Sequence, residues 1–120
     1  MKIIFAKLPL FSGFIAINFF GFLFIKKKYK EDLMRNPEKY NRLIRHEAIH
    51  TAQGKQLLWV FFYIFYFIEW LIRLIQYRKF TAAYNNISFE REAYTNEHDI
   101  NYLQNRKAFA SFGYVKKSGK

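Results

Sequence analysis

Between Leu57 and Tyr77 the chain reads "LLWVFFYIFYFIEWLIRLIQY", a run without Gly or Pro in which Glu69, Arg73 and Gln76 are the only charged or amide side chains. A run of this length and character is a helix, and it meets the requirement of about 20 apolar residues for crossing a bilayer. Its first half is apolar all round. In its second half Glu69, Arg73 and Gln76 recur at i, i+4 and i+7, which makes one polar stripe carrying a Glu–Arg ion pair. That stripe predicts a helix whose C-terminal half can rest at a water boundary. The rest of the chain has to be arranged around this element.

At 120 residues the chain forms one domain, 1–120, with a modest core. It contains no cysteine, which excludes disulfides, thiolate metal sites and a cysteine nucleophile. Hydrophobic residues reach 52%, too many for a disordered basic tail. The net charge of +11 calls for an anionic partner. Nucleic-acid binders place single aromatics among basic residues, whereas here aromatics lie in dense apolar blocks with basic flanks, "KKKYK" after one and "YRK" after the other. That pattern predicts an anionic membrane surface and no nucleic acid, and the basic segment from Lys26 to Lys55 points to the cytoplasmic face.

Residues 1–29 hold the first apolar block, Ile3 to Ile25. Lys7, Pro9, Gly13, Asn18 and Gly21 interrupt it, and short strands in a hairpin turning near Asn18 to Gly21 explain it better than a spanning helix. A helix is predicted over 37–54, with Asn36 as N-cap, Pro37 at the first position, Glu38 in the first turn and Gly54 at the end. Beyond the apolar helix, 57–77, a turn at Asn85-Asn86 leads to Ser88 as N-cap of a further helix over 88–106, and a basic tail closes the chain at 114–120. The fold class expected is mainly α with a small N-terminal β-hairpin.

Within the first polar helix lies "RHEAIHTAQ". His46 and His50, four apart, project from one helix face and can reach one metal ion, and Glu47, about 100° round, can take a proton from metal-activated water. This H-E-x-x-H arrangement points to Zn2+ with Glu47 as the catalytic base. A catalytic zinc takes three protein ligands, so one more must come from elsewhere. Glu90, Glu92, Glu97 and His98 are the downstream candidates, with His98 beside Asp99 reading as a surface pair. Gln53, one turn after His50, is a candidate partner of a ligand or a substrate contact.

"HEAIH" followed some forty residues later by "FEREAY" resembles the gluzincin metallopeptidases, and most of all their small membrane-associated branches. Their ligand helix carries E-x-x-A-D, with the first Glu on zinc. On this chain the pattern falls on Glu90, Ala93 and Tyr94, with Tyr94 in the place of the family's Asp. The resemblance implies a minimal gluzincin-like fold, peptide-bond hydrolysis, and Glu90 as third ligand with Glu92 as the alternative. Tyr94 becomes a candidate for stabilising an oxyanion.

If the helix 57–77 crossed a bilayer once, His46 and His50 would be parted from Glu90 by the membrane. A three-ligand site therefore requires this helix to lie on the membrane surface, to dip in and return, or to pack against another copy or a partner protein. The expectation is a small membrane-associated zinc metallopeptidase acting on a peptide or protein. Two other readings stand beside it: a catalytically inactive zinc-stabilised protein, and a metal-free basic membrane-surface adaptor. The strand near Gly21 to Lys27 is a candidate edge for pairing with an extended peptide.

Overall fold

The computed structural model describes residues 2–7 and 15–116. Pro9, Gly13 and the last four residues of the basic tail lie outside them. The architecture is mainly helical with a small three-stranded N-terminal sheet, and one long apolar helix is present. In chain order the elements are β1 (Lys2–Ala6), β2 (Ala16–Phe19), β3 (Phe22–Lys26), α1 (Lys30–Arg35), α2 (Asn41–Gln56), α3 (Val60–Tyr77), α4 (Phe80–Asn85), α5 (Ser88–Asn96) and α6 (Tyr102–Asn105).

The predicted hairpin is β2 and β3, which pair antiparallel through a two-residue turn with Phe20 and Gly21 both at positive φ. The strand order is β1-β3-β2, because β1 pairs parallel to β3 with Lys2 opposite Phe22. This corrects the expectation for 21–27. β3 is the central strand, hydrogen-bonded on both sides, and the edge beside the helices belongs to β2. Leu23 and Ile25 alternate inward from β3 and are fully buried, as the two-residue period of a strand requires.

The helix expected over 37–54 begins as a single 3-10 turn at Pro37–Tyr40, and α2 then runs on to Gln56. Asn36 sits at the cap position, but its side chain donates to Asp32 Oδ1 at 3.1 Å and does not cap. Gly54 does not end the helix. Leu58 and Trp59, both at positive φ, reverse the chain just past Gln56, and Trp59 N–H donates to Gly54 O at 2.7 Å. Gly54 instead makes room for an indole: a Cβ there would lie 2.2 Å from Trp59 Cζ3. The same ring lies against Gly21, so one tryptophan locks the β2–β3 turn to the junction of α2 and α3. Asn18 adds to this lock by donating to Glu47 O and Thr51 Oγ1, each at 3.0 Å.

α3 packs Phe62 into a small core with Ile87 and Phe89, flanked by Trp59, Tyr66 and Trp70. Its polar stripe reaches water only at its C-terminal end: Gln76 is exposed, Glu69 is half-buried and Arg73 is buried. Arg73 is 3% exposed. It donates to Glu69 Oε2 at 3.2 Å, to Gln76 Oε1 at 2.9 Å and to the Val115 carbonyl. Glu69 in turn accepts from Ser88 N at 2.7 Å and Ser88 Oγ at 2.5 Å. The expected Glu69–Arg73 pair forms, but it turns inward to fasten α3 to α5 and to the C-terminal segment. Ser88 is accordingly the first residue of α5 rather than its N-cap, and Glu69 satisfies the open N–H from a neighbouring helix.

The helix predicted over 88–106 stops at Asn96. Asp99 Oδ1 accepts Asn101 N–H at 2.9 Å, an Asx turn that redirects the chain before α6. Arg106 then folds back onto α5. Arg106 pairs there with Glu92, while Glu97, just past the end of α5, meets His46 and Arg42 of α2.

Candidate metal centre

α2 and α5 bring together His46, His50 and Glu90, all buried, with their ligand atoms within 4.8 Å of one another. Glu90 Oε1 lies 3.1 Å from His46 Nε2 and 3.1 Å from His50 Nε2, and the two Nε2 atoms are themselves 3.1 Å apart. Ligand atoms placed tetrahedrally at zinc's usual bond lengths would be roughly 3.3 Å apart. This group can hold a metal ion.

The outer nitrogens of the two rings decide which atoms face inward. His46 Nδ1 is 2.7 Å from Glu97 Oε2, and His50 Nδ1 is 2.8 Å from Gln53 Oε1. A carboxylate and an amide oxygen only accept, so both Nδ1 atoms carry a proton and both Nε2 atoms face Glu90 Oε1; a metal ion would take the place of any proton held between them. The orientation of Gln53 is fixed in the same way, because its Nε2 donates to Phe89 O and Glu92 Oε1, each at 3.0 Å. Carboxylate and amide partners of this kind orient histidine ligands in metal sites. Glu90 has its second oxygen occupied as well: Tyr66 OH donates to Oε2 at 2.6 Å.

Three electron-rich atoms converge here, and one proton can bridge only two of them. A cation satisfies all three. The cluster attracts positive charge strongly: burial pushes the His50 imidazole down, yet the Glu90 carboxylate beside it outweighs burial and brings it up to about 9. Burial would raise the Glu90 carboxyl, but His50 and the hydrogen bonds from His46, His50 and Tyr66 hold it well below the usual carboxylate range.

Glu92, the alternative ligand, points away and is fully buried elsewhere. It accepts from Arg106 Nε at 2.5 Å, Arg106 Nη2 at 3.0 Å, Tyr102 OH at 2.7 Å and Gln53 Nε2 at 3.0 Å. The geometry therefore brings Glu90 to the imidazoles and gives Glu92 to a buried ion pair. His98 is exposed and outside the cluster.

Glu47 lines two cavities, one of about 300 Å³ and one of about 510 Å³, and Tyr84 and Ala16 line both with it. Burial raises its carboxyl above the usual range, and the neighbouring His50 and His46 offset this in part. A base needs that direction of shift to hold a proton near neutral pH. Tyr94 meets the His46 ring edge-on with centroids 4.5 Å apart and shares a hydrogen bond with Tyr84.

Tyr66, Tyr84 and Arg106 belong to this assembly and carried no sequence signal, because each acts across a fold that local periodicity does not report. Glu97 was a candidate ligand and takes a different place, as acceptor for His46. No family model matches the chain, and neither does any curated protein or solved structure.

Proposed function

We propose that this chain is a small zinc-dependent peptidase that works at an anionic membrane surface. The observation that carries the reading is the convergence of His46 Nε2, His50 Nε2 and Glu90 Oε1 beside the Glu47 carboxylate. When bound, zinc would polarise a carbonyl and acidify water. The remaining chemistry falls to the chain. Glu47 takes the proton from the attacking water and returns it to the leaving amine. Gln53 and Glu97 hold the imidazoles in the required tautomer. Tyr84, which lines both cavities with Glu47 and is hydrogen-bonded to Tyr94, joins Tyr94 as a donor to a developing oxyanion. The gluzincin-like order of H-E-x-x-H and E-x-x-A supports a peptide as the substrate, and β2 offers the strand edge beside the cavity.

The membrane part of the reading rests on α3. It is long and apolar enough to cross a membrane, and only 11% of it is buried. Because α2 precedes it and α5 follows it, and both supply ligands, α3 would lie along the surface on its outer face.

Elemental analysis tests the site. One zinc per chain is expected for the wild type and for Glu92→Gln, and none for Glu90→Gln. Glu47→Gln should keep the zinc and lower peptide hydrolysis by ~10²–10⁴-fold, the usual share of a general base. The metal tie between α2 and α5 also favours a second reading, a zinc-stabilised protein without catalysis, under which Glu47→Gln leaves every measured property unchanged.

A further inference from the structure

The cavity of about 300 Å³ is walled by Trp59, Phe62, Tyr63 and Tyr66 from the end of the α2–α3 junction and the inner face of α3, and by Ala16 and Ile17 from β2. It is roughly twice the ~150 Å³ apolar cavity that takes up benzene. The polar groups in its wall are largely committed. Tyr63 OH accepts Phe20 N–H at 3.0 Å, and Tyr66 OH donates to Glu90. Asn18 gives its amide N–H groups to Glu47 O and Thr51 Oγ1, while its Oδ1 accepts Gly21 N–H at 3.1 Å. His50 and Glu90 face one another. What remains for a ligand is mainly ring faces and aliphatic carbon, with the Tyr84 hydroxyl, hydrogen-bonded to Tyr94, and the Glu47 carboxylate on the border shared with the second cavity.

The neighbouring cavity, which shares Glu47, Tyr84 and Ala16, is different in kind. Lys39, Arg42 and Glu97 line it, with Lys39 paired to Asp32 at 2.7 Å and Arg42 to Glu97 at 3.6 Å. A chain laid across Glu47 would therefore meet an aromatic chamber on one side and a polar, charge-paired one on the other.

We propose that the chamber between β2 and α3 is the subsite that selects the substrate, and that it takes a large uncharged apolar side chain, aromatic or branched aliphatic, next to the bond that is cut. Its meaning as substrate selection rests on the peptidase reading; its preference for apolar groups does not. Polar and anionic side chains would lose their hydration there without gaining a partner.

The chain holds two tryptophans, and only one lines the chamber. Trp70 instead stacks on Phe80 with centroids 6.0 Å apart, and serves as an internal control. The test follows both indole N–H resonances by NMR in the full chain during titration with N-acetyl amides of phenylalanine, leucine, glutamine and lysine. The Trp59 signal is expected to move saturably with the phenylalanine and leucine amides while Trp70 stays fixed, and the glutamine and lysine amides should bind roughly tenfold more weakly or worse. Ala16→Phe should fill the chamber and abolish the response while metal content and the unfolding midpoint are kept. A Trp59 signal that ignores the phenylalanine amide, or that answers the glutamine or lysine amide equally, overturns the proposal. Selective binding by a protein that holds no zinc would support the chamber and sink the peptidase. Zinc-dependent hydrolysis with a silent Trp59 would do the reverse.

Discussion

His46 and His50 could serve as ligands only because something else fixes their rings. Glu97 does this for His46 at 2.7 Å, from the first residue past α5. Replacing it by alanine removes the acceptor that keeps the proton on Nδ1, so zinc affinity should fall by ~10–100-fold without loss of the fold. Competition against a chelator of known affinity would measure this, and an unchanged affinity would deny Glu97 its role. Glu92 should behave in the opposite way. Both it and Arg106 are buried, and breaking a buried pair costs roughly 3 kcal/mol or more, because the remaining charge is left without a partner. Glu92→Gln is thus expected to lower the urea midpoint clearly while leaving one zinc per chain. Only two positions separate Glu90 from Glu92, yet on a helix that turns them about 200° apart, which gives one to the metal group and the other to an arginine.

Two of the elements are held by contacts that their own sequences do not announce. α2 carries Gly54 in its last turn because Trp59 returns over it; a methyl group at that position meets the indole and forces it out of its seat against Gly21. Gly54→Ala should therefore destabilise the fold by about 1–3 kcal/mol, the usual cost of overpacking, although alanine favours helix more than glycine does. A variant more stable than wild type in urea would contradict that packing. α1 is tied to the 3-10 turn before α2 through Asp32, whose carboxyl is lowered to about 2 chiefly by the hydrogen bond from Lys39, then by those from Tyr40 and Asn36. A carboxyl depressed in the folded state adds stability above its unfolded value, near 3.9, and loses that contribution as pH falls towards 2. The small difference in melting temperature between wild type and Asp32→Asn should be constant from pH 7 to 5, shrink as pH falls towards 2 and vanish only below it.

Among the described residues, α3 carries the longest row of exposed apolar side chains. With Arg73 buried and Glu69 turned towards Ser88, much of the outer side of α3 is left apolar: Phe61, Ile64, Phe67, Ile68, Ile72 and Ile75 are all exposed, and Phe80 extends the patch. Lys55 precedes this face, while Arg78 and Lys79 follow it. An apolar face with basic ends suits an anionic bilayer. Ile68→Glu with Ile75→Glu should abolish sedimentation with vesicles containing phosphatidylserine, and binding by the wild type should weaken as salt rises. Binding that survives the double substitution would move the contact to another face. Because the chain has no cysteine, single cysteines at positions 55 and 79 can be labelled cleanly, and both should react from the same side of the membrane.

The sequence by itself determined the features that local periodicity controls. The Gly- and Pro-free run became α3, the four-residue spacing put His46 and His50 on one face of α2, Asn18 to Gly21 became a hairpin turn, and the Glu69–Arg73 pair formed. The tertiary structure alone decided the relations between distant segments. It brought Glu90 rather than Glu92 to the two histidines, buried Arg73 of the polar stripe of α3, made β3 the central strand, and set Gln53 and Glu97 behind the two imidazoles. The reason is physical: spacing along a helix or strand fixes which way a side chain leaves its own element, but the partner it meets is set by how elements forty residues apart pack to cover apolar surface and pair every buried charge.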